Sequence, residues 1–269
     1  MSDPTNEPVL TLERQGRVAM LTLNRPERLN ALNLKLQNAI VDVMGELRED
    51  DEVWALVLAG AGRGFSSGAD VKDFGPPPPE RPSQTARLDE FGWVGRQALA
   101  VAGLDKPTIA AVNGIAAGAG MSLALACDMR VGGSGTAFRS MFIERNLSPD
   151  AGMTYFLSRI VGYSRACELV FTSRTVGAQE AFQLGLLNRV VPEPDVLPAA
   201  MELAEQIVRW PPLALRASKR VLQHNLDCQL TEALLYEKAG LRLSGLAPED
   251  REESIASLRE RRPPVFTGN

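Results

Sequence analysis

Two glycine-rich stretches put small residues where main-chain N–H groups can do chemistry. Leu58-Ala59-Gly60-Ala61-Gly62-Arg63-Gly64-Phe65-Ser66-Ser67-Gly68-Ala69-Asp70 follows an apolar run, and Asn113-Gly114-Ile115-Ala116-Ala117-Gly118-Ala119-Gly120-Met121 leads into a short apolar segment. Residues without bulk at a helix start leave N–H groups bare and aimed outward, where the helix dipole favours a negative oxygen. One N–H from each loop, aimed at one oxygen, makes the two-donor hole that stabilises an enolate or a tetrahedral adduct. Two structural readings stand beside this one: a tight turn out of a core strand for the first loop, and close helix–strand packing for the second. A dinucleotide site fits the first loop poorly. Its glycines are spaced G-x-G-x-G rather than G-x-G-x-x-G, and a proline run follows in place of the rest of a βαβ unit.

Side chains narrow the chemistry further. His224 is the only histidine of the 269 residues, so a two-histidine metal site is impossible and a histidine base has one candidate. Cys127, Cys167 and Cys228 are odd in number and far apart, which argues against a disulfide framework or a zinc ribbon. Lys+Arg is 29 against 33 Asp+Glu, a formal charge of −4 that argues against non-specific nucleic-acid binding. Carboxylates, backbone dipoles or a bound ligand must therefore carry any reaction.

The elements that would position these loops read as a parallel-type α/β core, spanning 1–195, followed by a helical region, 196–269. Residues 9–12 and 18–23 pair as strands, 33–49 form an amphipathic helix, and 53–58 form a strand buried on both faces. The run Gly75-Pro76-Pro77-Pro78-Pro79-Glu80-Arg81-Pro82 reads as an exposed polyproline loop and a mobile flap. A helix fits 85–103, then strand 108–112, turn 113–118, helix 120–127 and strand 129–131. After Pro149 the pattern is helical, at 152–160, 164–171 and 178–184, and then at 196–209, 212–226, 229–244 and 249–261. Residues 107–127 carry no charge, but their alanine and glycine content suits a buried strand, turn and helix better than a membrane span. Residues 1–13 have neither a basic nor an apolar leader pattern, and the expected location is cytoplasmic.

Four motifs carry a resemblance. Asn24-Arg25-Pro26-Glu27-Arg28-Leu29-Asn30-Ala31-Leu32, Gly64-Phe65-Ser66-Ser67-Gly68-Ala69-Asp70-Val71, Lys106-Pro107-Thr108-Ile109-Ala110-Ala111-Val112-Asn113-Gly114 and Leu147-Ser148-Pro149-Asp150-Ala151-Gly152 are similar to the enoyl-CoA hydratase/isomerase (crotonase) superfamily. The resemblance covers about residues 8–260. It implies an α/β spiral of ββα units with a C-terminal helical region that builds a homotrimer or a dimer of trimers. It also implies an acyl-CoA thioester substrate, coenzyme A entering as part of that substrate, and no tightly bound cofactor. By motif position the oxyanion donors are the N–H groups of Ala69 and Ala119. The second position is usually glycine in the family, and alanine keeps the N–H while restricting φ. The coenzyme contacts implied are Arg28, Ala31, Asp70, Lys72 and Lys219.

The resemblance breaks at two positions. Hydratases of the family deliver water with two glutamates, which here fall at Ser122 and Phe142; both then line the substrate pocket without an acid. Asp105 reads as surface and Asp128 as a structural partner. Glu144, two residues beyond Phe142, would be turned about 200° away on a helix. Asp150 occupies the position of the catalytic aspartate in dienoyl-CoA isomerases and 4-chlorobenzoyl-CoA dehalogenases. One carboxylate with an oxyanion hole suffices for a proton shift between carbons; the same residue type also caps helix N-termini. The expected activity is an enoyl-CoA isomerase-type double-bond shift with Asp150 as proton shuttle. The alternatives are enoyl-CoA hydration and a non-catalytic acyl-CoA binding protein. Phe65, Phe74, Phe91, Trp93, Phe138 and Phe142 are the aromatic candidates for the acyl pocket.

Overall fold

Alternating aliphatic residues open the chain as a hairpin in the computed structural model, which describes residues 8–73 and 83–269. Strand β1 (Leu10–Gln15) runs antiparallel to β2 (Val18–Leu23), and Gly16 at φ +57° makes the turn. Helix α1 (Leu34–Glu49) starts at Asn33, whose side chain accepts the Leu36 N–H at 2.9 Å, and buries Leu36, Ile40, Met44 and Leu47. Strand β3 (Ala55–Gly60) is buried on both faces, as its unbroken apolar run requires. The expected proline-rich flap and Phe74 lie outside the described residues.

The single helix expected over 85–103 is two pieces, α2 (Gln84–Arg87) and α3 (Gly92–Ala102). The Asp89 carboxylate accepts the N–H groups of Phe91 and Gly92, a local alternative to helical bonding that restarts the chain at α3. Strand β4 (Thr108–Val112) follows, and the expected turn 113–118 contains a short strand, β5 (Ile115–Ala117). Then come α4 (Ala119–Ala126), β6 (Met129–Gly133), β7 (Ala137–Arg139), α5 (Met153–Val161), α6 (Tyr163–Thr172), β8 (Val176–Gly177), α7 (Ala178–Gln183) and β9 (Arg189–Val191). Four helices complete the chain: α8 (Val196–Ile207), α9 (Pro212–His224), α10 (Leu230–Ser244) and α11 (Pro248–Glu260).

Two sheets result. The larger has the order β1-β2-β3-β4-β6-β9, parallel everywhere but at the β1–β2 hairpin; the smaller is β5-β7-β8. The α/β class and the C-terminal helices are as expected, and the strands divide into two sheets. Side chains of β3 alternate between two cores. Leu56 and Leu58 face the larger cluster with Leu36, Phe65, Phe138 and Met153, while Ala55, Val57 and Ala59 meet Val196, Ala200 and Ala204 of α8. Residues 107–127, uncharged in sequence, are thus β4, β5 and α4, and no described helix is long and apolar enough to cross a membrane. Helices α9 and α10 form a hairpin in which His224 stacks on Tyr236 at 3.7 Å, and Leu222, Leu226, Leu230, Leu234, Leu235 and Leu241 remain exposed on this part of the chain.

Candidate active site

The first glycine-rich loop leaves β3 and is pinned from two sides by asparagines. Asn30 donates to the carbonyls of Ala61 at 2.9 Å and Gly64 at 2.8 Å, and Asn113 donates to those of Gly60 at 2.9 Å and Gly62 at 2.8 Å. Further on, Leu32 bridges the loop: its N–H donates to the Gly68 carbonyl at 2.8 Å, and its carbonyl accepts the Asp70 N–H at 3.0 Å. Because strand-like residues alternate, the Ala69 N–H between those two bonds points away from Leu32. Gly68 sits at φ +96°, and a Cβ there would come within 2.7 Å of the Ala117 carbonyl and 3.5 Å of the Ala119 nitrogen. The two loops therefore touch at this glycine.

The second loop enters α4 through Gly118, at φ +49° and ψ −127°. The unusual backbone falls on this glycine, so Ala119 is an ordinary first helical residue and its methyl imposes no strain. Among the described residues neither the Ala69 nor the Ala119 N–H has an acceptor. Both residues line one cavity of about 270 Å³ with Ser67, Gly68, Val71, Trp93, Val94, Gly118, Met141, Phe142, Arg145, Leu147 and Asp150. A larger cavity of about 530 Å³ between α3, α4, α5 and α9 contains neither loop.

Asp150 is brought to the same cavity as both donors. It does not cap α5: Gly152 occupies that position, and the Asp150 carboxylate makes no hydrogen bond or ion pair among the described residues. Burial of part of the side chain pushes its carboxyl above the usual aspartate range, although its outer edge is exposed in the single chain. Phe142 lines the cavity. Ser122 does not. It is fully buried behind the wall, where its hydroxyl donates to the carbonyls of Gly118 at 3.4 Å and Asp150 at 3.3 Å, so it braces the site from beneath. Glu144 is turned out of the cavity. It pairs with Arg139 and accepts from the Ser173 hydroxyl, and that hydrogen bond, with the Arg139 charge, holds its carboxyl below the usual range.

The expected coenzyme contacts divide. Arg28 and Lys72 are exposed beside the first loop. Asp70 is buried and pairs with Arg25 at 2.9 Å; burial alone would raise its carboxyl, but the Arg25 bond, the Lys72 N–H and the Arg25 and Arg28 charges outweigh it and hold it low. Arg25 also donates to the Ala31 carbonyl, so Asp70 and Ala31 shape the loop from within. Lys219 is placed away from the first loop. It is buried, with Nζ 2.7 Å from Asp128 and donating to the Lys106 carbonyl at 2.9 Å. Asp105, expected at the surface, is buried against Arg216 and Arg220. Phe65 and Phe138 are core residues, leaving Trp93 and Phe142 as the aromatic walls. Val94, Met141, Arg145 and Leu147 are cavity residues that sequence reading did not single out. No cluster of three or more metal-ligating side chains occurs among the described residues.

The geometry finds parallels in known proteins. A family model described as enoyl-CoA hydratase/isomerase matches residues 13–269. A short-chain-enoyl-CoA hydratase of Clostridium acetobutylicum is 35% identical over 253 residues, covering 93% of this chain and 94% of the relative. The crystal structure of an enoyl-CoA hydratase from Bacillus anthracis superposes with a TM-score of 0.89 at 30% identity, covering 97% of this chain and all of that one. A monofunctional enoyl-CoA isomerase from M. smegmatis superposes with a TM-score of 0.71 at 35% identity, covering 84% of this chain and 97% of that one.

Proposed function

The chain belongs to the enoyl-CoA hydratase/isomerase family, and from that membership and the cavity's geometry we propose an acyl-CoA enzyme that shifts a double bond by moving one proton with Asp150. The observation that carries this reading is the meeting, in one cavity, of two unpartnered N–H groups and a single carboxylate with no hydrogen-bond partner. The Asp150 carboxylate takes a proton from C2 of a 3-enoyl thioester. Charge moves to the thioester oxygen, which accepts the Ala69 and Ala119 N–H groups as a dienolate. The carboxylic acid so formed returns the proton to C4, giving the 2-enoyl thioester. Each donor contributes most where the charge develops, on the order of 10²–10³ in rate. The raised carboxyl helps the first half of the cycle, because its carboxylate is a stronger base than that of an ordinary aspartate, and its acid form then holds the proton until the dienolate takes it at C4.

Hydration is the second reading, favoured by the names of the Clostridium and Bacillus relatives. Against it stand Ser122 and Phe142, which offer no second carboxylate to hold and deprotonate a water. Arg28 and Lys72 would meet the coenzyme phosphates outside the cavity. The exposed leucines of the C-terminal helices support assembly into a trimer or a pair of trimers.

The test is turnover of 3-enoyl, 2-enoyl and aryl-acyl thioesters by the purified protein and by Asp150→Asn. The variant is expected to lose about 10²–10⁴ in kcat while its thioester Kd stays near the parent value. Full isomerase activity in Asp150→Asn refutes the role. A 3-hydroxyacyl product labelled from ¹⁸O-water selects hydration instead, and binding without any turnover selects a non-catalytic thioester binder.

A further inference from the structure

The cavity contains one cation that the proton shift does not use. Arg145 lines it with Trp93, Val94, Phe142 and Leu147, and its guanidinium has no ion pair or hydrogen bond among the described residues. Its neighbour Glu144 feels the Arg145 charge but makes its direct contacts elsewhere, with Arg139 at 2.9 Å and with the Ser173 hydroxyl. The turn that presents Arg145 is closely bonded. The Arg145 N–H donates to the Phe142 carbonyl at 2.9 Å, the Leu147 N–H to the same carbonyl at 3.1 Å, and the Asn146 N–H to that of Ile143 at 3.1 Å. Asn146 closes the turn at φ +57°, a conformation asparagine tolerates better than most residues.

Resting on the thioester reading above, we propose that Arg145 recognises a carboxylate on the acyl group, so that the preferred substrates are short acyl thioesters with an anionic far end. Three observations point this way. The cations placed to meet coenzyme phosphates, Arg28 and Lys72, are not in the cavity lining, whereas Arg145 is. The other charged lining residue, Asp150, forms no ion pair with Arg145, so neither charge of the lining is taken by the other. The volume of about 270 Å³ suits an acyl group of a few carbons rather than a long tail. Arg145 is exposed at the cavity's edge, and a guanidinium pairs with a carboxylate through two parallel hydrogen bonds.

The experiment compares two saturated six-carbon thioesters, hexanedioyl-CoA and hexanoyl-CoA, by calorimetric binding to the full chain and to Arg145→Leu. Arg145→Lys serves as the conservative variant and circular dichroism as the check on folding. The parent protein is expected to bind the carboxylated thioester about ten- to hundredfold more tightly. Arg145→Leu should lose that ratio while keeping its affinity for hexanoyl-CoA, and Arg145→Lys should keep part of it. An unchanged ratio in Arg145→Leu overturns the proposal. Equal weakening of both ligands also overturns it, because it would put Arg145 on the coenzyme phosphates. Saturated thioesters need no turnover, so a failure of the isomerase reading leaves this measurement intact, and failure of both ligands to bind would count against the thioester reading itself.

Discussion

Gly120 lies one residue inside α4, where replacement by alanine would ordinarily favour the helix by up to about 1 kcal/mol. The packing around it predicts the opposite. A Cβ on Gly120 would fall 2.5 Å from the Ser66 carbonyl oxygen and 2.6 Å from its hydroxyl, and ordinary contact begins near 3.4 Å. Something must move by about 0.9 Å. Ser66 is poorly free to do so. It is fully buried, its hydroxyl donates to the Asn30 carbonyl at 2.9 Å, its N–H donates to Ile115 at 3.0 Å, and its carbonyl accepts the Ala117 N–H at 2.9 Å. It also accepts the Gly68 N–H at 3.3 Å, so a displaced Ser66 carries Ala69 with it. Overpacking of this kind costs about 1–3 kcal/mol, enough to exceed the helix gain. A misplacement near 1 Å at a catalytic donor costs about 10²-fold in rate. Gly120→Ala is therefore expected to lower the urea midpoint and reduce kcat by about two orders of magnitude. Gly45→Ala is the control: Gly45 is exposed in α1 with nothing within 4 Å of its added Cβ, and the change should stabilise by about 0.5–1 kcal/mol. Gly120→Ala with parent stability and parent kcat would refute both the contact and the role assigned to Ala69.

Other outcomes follow from groups already described. Lys219→Met leaves Asp128 with only its two Thr108 hydrogen bonds, at 2.8 and 2.9 Å, and should cost about 3–5 kcal/mol in urea unfolding; a loss under about 1 kcal/mol would show the pair to be dispensable. Burial raises the Asp150 carboxyl above its unfolded value, so the native state keeps a proton that the unfolded chain has released. The group's contribution is full below about pH 3.9 and declines as pH rises through the raised folded value. Asp150→Asn should accordingly raise Tm at pH 7, with the gain shrinking as the pH is lowered; an unchanged or lower Tm at pH 7 would contradict the burial. Asn30→Ala removes two donated bonds and the acceptor of the Arg25 N–H, and should cost several kcal/mol together with most of the activity, read by calorimetry and turnover. Leu234→Lys places a charge in the exposed leucine face and should shift sedimentation from a multi-subunit species toward the monomer; a parent protein that sediments as a monomer would refute the assembly.

Long elements with a clear period were legible in the sequence. Helix α1 starts one residue inside its expected range because Asn33 caps it, and β4 matches 108–112 because an uninterrupted apolar run fits a strand covered on both faces. Strands β7, β8 and β9, of three, two and three residues, are too short to show a period, and only their pairing identifies them. The two glycine-rich loops that meet at the cavity were visible from glycine spacing and the family motifs. Side-chain placement was the part that stayed hidden. Nothing near Lys219 in the sequence points to its partner, 91 positions earlier in the chain, and Asp105 is buried by Arg216 and Arg220 from a helix more than a hundred residues away. Arg145 gave no signal, because nothing in a tight turn says which way an arginine faces.

Both donors proposed for the thioester oxygen are main-chain groups, and this separates two kinds of heritable change. Substitution at Ala69 or Ala119 by any residue but proline leaves the N–H itself in place, so drift in side-chain identity spares the element that stabilises charge. The carboxylate proposed to move the proton has no such shelter, since one codon at residue 142 or 150 adds or removes an acid. A lineage built on this scaffold can exchange one thioester reaction for another by relocating a single acid, while the anion site remains common to ancestor and descendant.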